Sequence, residues 1–195
     1  HRDLHSFPTR RSSDLGDIVV SLSDMMRYSL KRDNGFVPLQ EELDYVSQYL
    51  RIQKLRFGGK FEAEISCGED AACVEIPKLI LQPLVENSIL HGFKSLKRVG
   101  LLKVYARLEG DHVVLGVEDN GRGMEQEAAD ALLRDGNPAG AESHHGIGVG
   151  NVNRRIGLLY GPSYGLRFRS AAGAGTVCTI RLPLDRPGIK EAERA

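Results

Sequence analysis

Apolar positions between Gly16 and Arg32 fall at helical spacing in IVVSLSDMMRYSLKR, and Asp33-Asn34-Gly35 ends the pattern. Pro38 and the run Gln40-Glu41-Glu42 open a second helix, which reaches about Phe57 before Gly58-Gly59. In that helix Leu43, Val46 and Leu50 form one stripe, and Tyr45, Tyr49 and Ile52 form another beside it. A face so wide suits packing against more than one neighbour. A helical hairpin that dimerises into a bundle would supply those neighbours, and packing on its own domain is the alternative.

From Phe61 the period changes. FEAEIS alternates as a strand. Pro77 is a good first helical residue, and it opens PKLILQPLVENSILHGF, which predicts one buried helix to Phe93. LLKVYARL and HVVLGVED predict a hairpin turning through Glu109-Gly110-Asp111. Gly121 to His145 reads as a loop with one short helix near Glu125 to Arg134. VGNVNRRIGLLYG predicts another helix, and YGLRFRS with TVCTIRLPL predicts a closing hairpin around Gly173-Ala174-Gly175. The order predicts an α+β fold, a two-layer α/β sandwich with helices on one face of a mixed sheet, preceded by an α-helical hairpin.

Composition narrows the function classes. The 195 residues hold 26 Lys plus Arg against 26 Asp plus Glu, so no basic excess points to nucleic acid. No apolar run approaches the roughly 18 residues of a membrane span. Cys67, Cys73 and Cys178 are odd in number and form no C-x-x-C pair, which favours a reducing cytosol over a disulfide frame or a zinc site.

The first fifteen residues stand apart. His1-Arg2-Asp3-Leu4 spells the start of a protein-kinase catalytic loop, but Pro8 occupies the place where that signature needs a magnesium-binding Asn. HRDLHSFPTRRSSDL instead resembles a translated sequencing adaptor, and residues 1–15 are expected to be a disordered scar. Without them the balance is 23 basic against 24 acidic residues, a net charge of about −1. The expected division is 16–58 for a partial helical dimerisation region, 59–185 for a catalytic domain and 186–195 for a flexible tail.

Four constellations carry candidate chemistry. Asn87 interrupts the apolar run LVENSILHG, and Asn is a poor mid-helix residue. A buried amide needs partners, which a nearby loop or a magnesium ion with phosphate could supply. Asp119 ends a strand before Asn120-Gly121-Arg122-Gly123. That string is a turn signal. It could equally aim a carboxylate at the exocyclic amino group of adenine, and guanine would then face oxygen with oxygen at a cost of roughly 1–3 kcal/mol. Gly146, Gly148 and Gly150, with Asn151 next in the chain, run into a helix whose N-terminus suits phosphate. A dinucleotide fingerprint would need a strand directly before them, and NPAGAESHH stands there instead. Thr176 comes after a glycine turn and could bond the adenine edge or a water held by Asp119.

Together these resemble the nucleotide boxes of the GHKL, or Bergerat, ATP-binding fold shared by gyrase, Hsp90, MutL and histidine kinases. MRYSLKR, then VPLQEELDYVSQYLRIQKLRFGGKFE, then IPKLILQPLVENSILHGF resembles bacterial sensor histidine kinases of the LytS-like class. The likeness spans Gly16 to about Leu184. It implies that Asn87 holds magnesium and Asp119 holds adenine. Gly121 and Gly123 would flank the base, and Gly146, Gly148, Gly150 and Asn151 the phosphates. His91 would lie on the nucleotide helix, and Thr176 would support Asp119. It further implies ATP and Mg2+ as ligands, a lid between Arg122 and His145, and a response regulator as partner. A homodimer, a cytoplasmic location and a parent protein anchored in the inner membrane are also implied.

Two departures qualify the resemblance. Hydrolytic members place a Glu four residues before the magnesium Asn, as base for water; here Pro83 stands there and abstracts no proton. That favours transfer to a histidine, whose neutral imidazole is already a nucleophile. No histidine lies between Gly16 and Leu90, where the family's phosphoacceptor helix falls. The expectation is therefore a fragment lacking its acceptor, with no catalytic residue assigned. An anti-sigma-factor-type serine kinase and a non-catalytic ATP-dependent dimer module remain as alternatives.

Overall fold

Cross-links between two helices set the direction of the N-terminal hairpin. Helix α1 (Arg10–Leu30) and helix α2 (Leu39–Arg56) run antiparallel, because Ser21 bonds Gln48, Tyr28 bonds Glu42 and Lys31 pairs with Glu41. The structure, a computed structural model, describes residues 10–31, 35–94, 96–134 and 147–185. Helix α1 begins earlier than expected, since 10–15 are helical rather than without structure. They contain no Gly or Pro, and lengthening a helix adds one hydrogen bond per residue with no new nucleus. Residues 1–9 and the expected tail, 186–195, lie outside the described residues.

Helix α2 buries Leu39, Leu43, Val46, Tyr49 and Leu50 in the same core as the sheet. Its two stripes do meet two neighbours, but both belong to this chain: α1 on one side, the sheet domain on the other. The width of its face therefore required no second subunit. On α1 the position is reversed, with Val19, Met26 and Leu30 more than half exposed at 61%, 63% and 73%.

The sheet has five strands in the order β2 (Phe61–Cys67), β4 (Gly100–Glu109), β5 (His112–Asp119), β7 (Gly175–Pro183) and β6 (Gly165–Ala171). Only β2 and β4 pair in parallel, so the sheet is mixed as expected. Period-two alternation turns Leu102, Val104, Val113, Leu115, Val117, Phe168, Cys178, Ile180 and Leu182 toward the helices. Lys103, Arg107, Glu118, Arg167, Arg169 and Arg181 take the other, exposed face. Tyr105 lies across Gly116 there, where any side chain would overlap its ring.

Pro77 does not open a helix. It closes the short strand β3 (Glu75–Pro77), which pairs antiparallel with β1 (Phe36–Pro38). The backbone then turns, with Leu79 at φ 60°, before helix α3 (Gln82–Asn87). Tertiary pairing with β1 overrides the local preference of Pro for a first helical turn. Past Asn87 the helix widens into a π-turn (Ser88–Gly92), closed by the Phe93 N–H on the Ser88 carbonyl at 2.9 Å. Helix α4 (Gln126–Arg134) and helix α5 (Ile147–Tyr160) complete the helical layer.

Candidate functional site

Asp119 falls on the core side of β5, because Val113, Leu115, Val117 and Asp119 share one face at period two. Its side chain is thus carried under the helical layer, and the residue is 5% exposed. The Ser88 hydroxyl donates to Oδ2 at 2.7 Å, and the Gly121 N–H donates to Oδ1 at 2.8 Å. Burial raises the Asp119 pKa above the usual carboxylate range; the hydrogen bonds from Ser88, Gly121 and the Thr176 backbone pull it back only in part. The group is an anionic acceptor short of solvation, and a further donor would stabilise it.

The π-turn places Ser88 there. Its extra residue rotates the next stretch of backbone away from the ordinary helical path, and such bulges recur at functional positions. Gly92 ends the turn against the carboxylate, where a methyl group would stand 3.1 Å from Oδ1. The Gly92 carbonyl accepts the Arg122 N–H at 2.9 Å. A methyl on Gly121 would lie 2.5 Å from that carbonyl oxygen and 2.7 Å from Asp119 Oδ1. Gly123, at φ 59°, sits so close to Ala171 that any side chain would overlap its carbonyl oxygen. The Gly173 N–H reaches back to the Arg122 carbonyl at 2.6 Å. The loop from Asp119 to Met124 is thus clamped between the end of the π-turn and the β6–β7 hairpin, with glycine where a side chain cannot fit.

Thr176 pairs in register with Asp119, but its hydroxyl turns to Ser170 Oγ at 2.9 Å. Ser170 also accepts the Met124 N–H at 3.0 Å and donates to the Gly175 carbonyl at 3.0 Å. Asn87, expected to be buried, is half-buried at the end of α3, one residue before Ser88. Among the described residues its amide has no hydrogen-bond partner, so it is available to a ligand. His91 lies half-buried in the π-turn. Gly148 and Gly150 form the first turn of α5, with Gly150 buried and Gly148 and Asn151 exposed. A methyl on Gly148 would meet Pro83 Cβ at 3.3 Å, so the glycine run stands against α3 one turn before Asn87. Gly146 and the second part of the expected lid, 135–145, lie outside the described residues. The α3 segment therefore links the expected pieces: Ser88 bonds Asp119 at its end, and Pro83 meets Gly148 of α5 at its start. Cavities of about 920 Å³ between α1 and α2, and about 420 Å³ on the exposed sheet face, border neither Asp119 nor Asn87.

Residues 74–186 match the family model described as histidine kinase-, DNA gyrase B- and HSP90-like ATPase. The chain belongs to that family. Residues 4–61 match a second model, described as histidine kinase. The chain is similar to sensor histidine kinase BtsS of Escherichia coli (strain K12), 33% identical over 174 residues, which are 89% of this chain and 28% of that protein. Sensor histidine kinase YesM of Bacillus subtilis (strain 168) is 32% identical over 173 residues, with the same shares. The chain thus spans well under a third of the length of these relatives. Among solved structures, the histidine kinase domain of the Erythrobacter litoralis EL346 blue-light activated kinase superposes with a TM-score of 0.56 at 17% identity, covering 88% of this chain and 75% of that one. Acinetobacter baumannii histidine kinase AdeS gives 0.56 at 17%, covering 89% and 79%. These two likenesses establish the fold.

Sequence reasoning misses Ser88, Gly92 and Ser170. Ser88 carries a signal, as a second polar residue beside Asn87 in an apolar run. Ser170 carries none, because its partners come from β7 and the Met124 loop.

Proposed function

We propose that this ATPase-family chain is the catalytic portion of a sensor histidine kinase of the LytS-like class, with residues 59–185 as its nucleotide-binding unit. It binds Mg-ATP and transfers the γ-phosphate to a histidine, for relay to an aspartate of a response regulator. The observation that carries this reading is the buried, under-solvated Asp119 carboxylate held against Gly92 and Gly121. An ionised carboxylate only accepts, so it suits the amino group of adenine and repels the carbonyl of guanine. Gly121 and Gly123 let backbone approach the flat base. Gly148, Gly150 and Asn151 would present the first turn of α5 to phosphate oxygens.

Asn87 fits a magnesium ligand, since its side chain is only half-buried and, among the described residues, its amide has no hydrogen-bond partner. Among the described residues no group of three His, Cys, Asp or Glu could hold a metal, so phosphate and water would supply most ligands. The ion would neutralise charge building on the ADP leaving group. An imidazole nitrogen forms the bond to the γ-phosphorus as the bond to the bridging oxygen breaks, and ADP departs with that oxygen. Pro83 supports transfer over hydrolysis, for it cannot activate water. The apolar stripe exposed on α1 supports a homodimer through the hairpin. The reading places these residues in the cytoplasm. No described helix is long and apolar enough to cross a membrane, so any inner-membrane anchor would lie outside them.

The test is nucleotide binding and phosphotransfer together. ATP should bind well above GTP, magnesium should strengthen binding, and Asn87→Ala should remove that magnesium effect. A phosphoacceptor helix supplied in trans should gain acid-labile label. Equal binding of ATP and GTP would overturn the adenine assignment. Acid-stable label on a serine would replace the histidine kinase with a serine kinase on the same fold.

A further inference from the structure

Glu42, on α2, is fully buried, and both of its carboxyl oxygens are hydrogen-bonded. Oε2 accepts the Tyr28 hydroxyl and the Leu79 N–H, the latter at 2.7 Å. Oε1 accepts the N–H groups of Ile80 and Leu81, each at 2.9 Å. Three successive amides converge on one carboxylate because the backbone turns through Leu79 at φ 60°, a conformation uncommon outside glycine. Those amides lead directly into α3, the helix that ends in Asn87 and passes into Ser88.

Other contacts bind the same segment. The Tyr45 hydroxyl donates to Gln82 Oε1 at 2.9 Å, at the first residue of α3. Arg155, on α5, donates to the Lys78 carbonyl at 2.6 Å and the Gly35 carbonyl at 3.2 Å. Lys78 Nζ donates to the Lys31 carbonyl, just past the end of α1, at 2.8 Å. Tyr28 stands at the crossing point. It belongs to α1, donates to Glu42 and packs on the Tyr45 ring with centroids 4.7 Å apart. Residues 78–82 are therefore gripped from α1, α2 and α5 at once. The helices leaving this grip are α3, with Asn87, and α5, with Gly148.

We propose that Tyr28 and Glu42 form the joint through which the position of α1 sets the position of α3, and with it the geometry of Asn87 and Ser88 beside Asp119. The inference rests on the nucleotide-site reading and adds how that site is regulated. Tyr28 acts as a positioning residue. Buried, close-packed groups pass a displacement on rather than absorb it. If α1 slides or rotates, the Tyr28 hydroxyl leaves Glu42, the carboxylate re-aims, and the three amides that start α3 move with it. Linkage makes the effect reciprocal, so a nucleotide that fixes α3 must also steady the end of α1.

The full chain tests this with a fluorescent ATP analogue and amide hydrogen exchange. In the wild type, saturating Mg-ATP should slow exchange in residues 25–30 of α1, which supply none of the candidate nucleotide contacts. Tyr28→Phe keeps the ring against Tyr45 and removes one hydroxyl. It should weaken ATP binding by about fivefold, the low end of allosteric couplings, and abolish the slowing in α1 even when ATP saturates. A role confined to stability would lower the melting temperature and leave the ATP-induced slowing intact, which would overturn the joint. So would a wild type that binds ATP with no change in residues 25–30. Asp119→Asn separates the two levels. If it leaves ATP binding intact, the reading of the site fails and the joint fails with it. If it abolishes binding while Tyr28→Phe matches wild type in both measurements, the joint alone fails.

Discussion

Two buried carboxylates, Glu42 and Asp119, divide the molecule's labour. Glu42 takes donors on both oxygens, three backbone amides and a phenol, all from its own chain. Asp119 takes the Ser88 hydroxyl and the Gly121 amide with backbone support from Thr176, and burial still pushes its pKa up. The first group is satisfied and ties elements together. The second has fewer donors and lies against glycines where a side chain would crowd it. A saturated buried charge reads as architecture, and an under-served one beside a cradle reads as a ligand site.

Substituting each carboxylate should separate the two roles. Asp119→Asn should reduce ATP affinity on the order of a hundredfold, because an amide turned toward adenine presents the wrong polarity in a buried site. Its unfolding free energy should stay level or rise, since a desolvated charge is removed. Calorimetric titration and denaturant unfolding on the same samples check both. Glu42→Gln should show the opposite order, with stability falling by about 2–4 kcal/mol as an amide NH2 is set against backbone donors. Equal stability losses in the two variants would erase the distinction.

A narrower test addresses the cradle. Gly123→Ala should cost roughly 1–3 kcal/mol of stability, through its left-handed φ of 59° and the overlap with Ala171. Gly121→Ala, whose φ is not left-handed, should also cost stability, through overlap with the Gly92 carbonyl, but should affect ATP binding more, as its methyl would crowd Asp119. Urea unfolding and nucleotide titration distinguish the pair.

The smallest effect is in pH. Asp119 has a folded pKa above its unfolded value, so the folded state holds its proton to higher pH. Without nucleotide, this group's contribution to stability should therefore fall as pH rises from the unfolded value through the raised one, and then level. ATP binding, which favours the ionised acceptor, should weaken as pH falls through the same window. Asp119→Asn should flatten the stability trend, as read from melting temperatures across that range.

Much of this is legible in the chain. Alternation locates β2, β4, β5, β6 and β7, and on β5 it carries Asp119 to the core side by parity alone. The helices after Pro38, near Glu125 and after Gly146 are legible too. Elements that depend on distant partners are not. The β1–β3 pair joins segments about forty residues apart, and it converts the expected helix start at Pro77 into a strand end. Glu42 reads as a first-turn acidic residue, a common helix signal. Its position between Leu39 and Val46 on the buried side is the one hint that it points inward.

By itself the sequence determined the five strands of the main sheet, the longer helices, the sheet's inward face and the chemical identity of the candidate ligand groups. These depend on local periodicity and residue chemistry, which need no partner to be read. Only the tertiary structure decided the π-turn that aims Ser88 at Asp119, the exposure of Asn87 and the convergence of α1, α2 and α5 on residues 78–82. Each depends on where unpaired amides and carbonyls find partners across long chain separations, and that satisfaction exists only once the layers have packed.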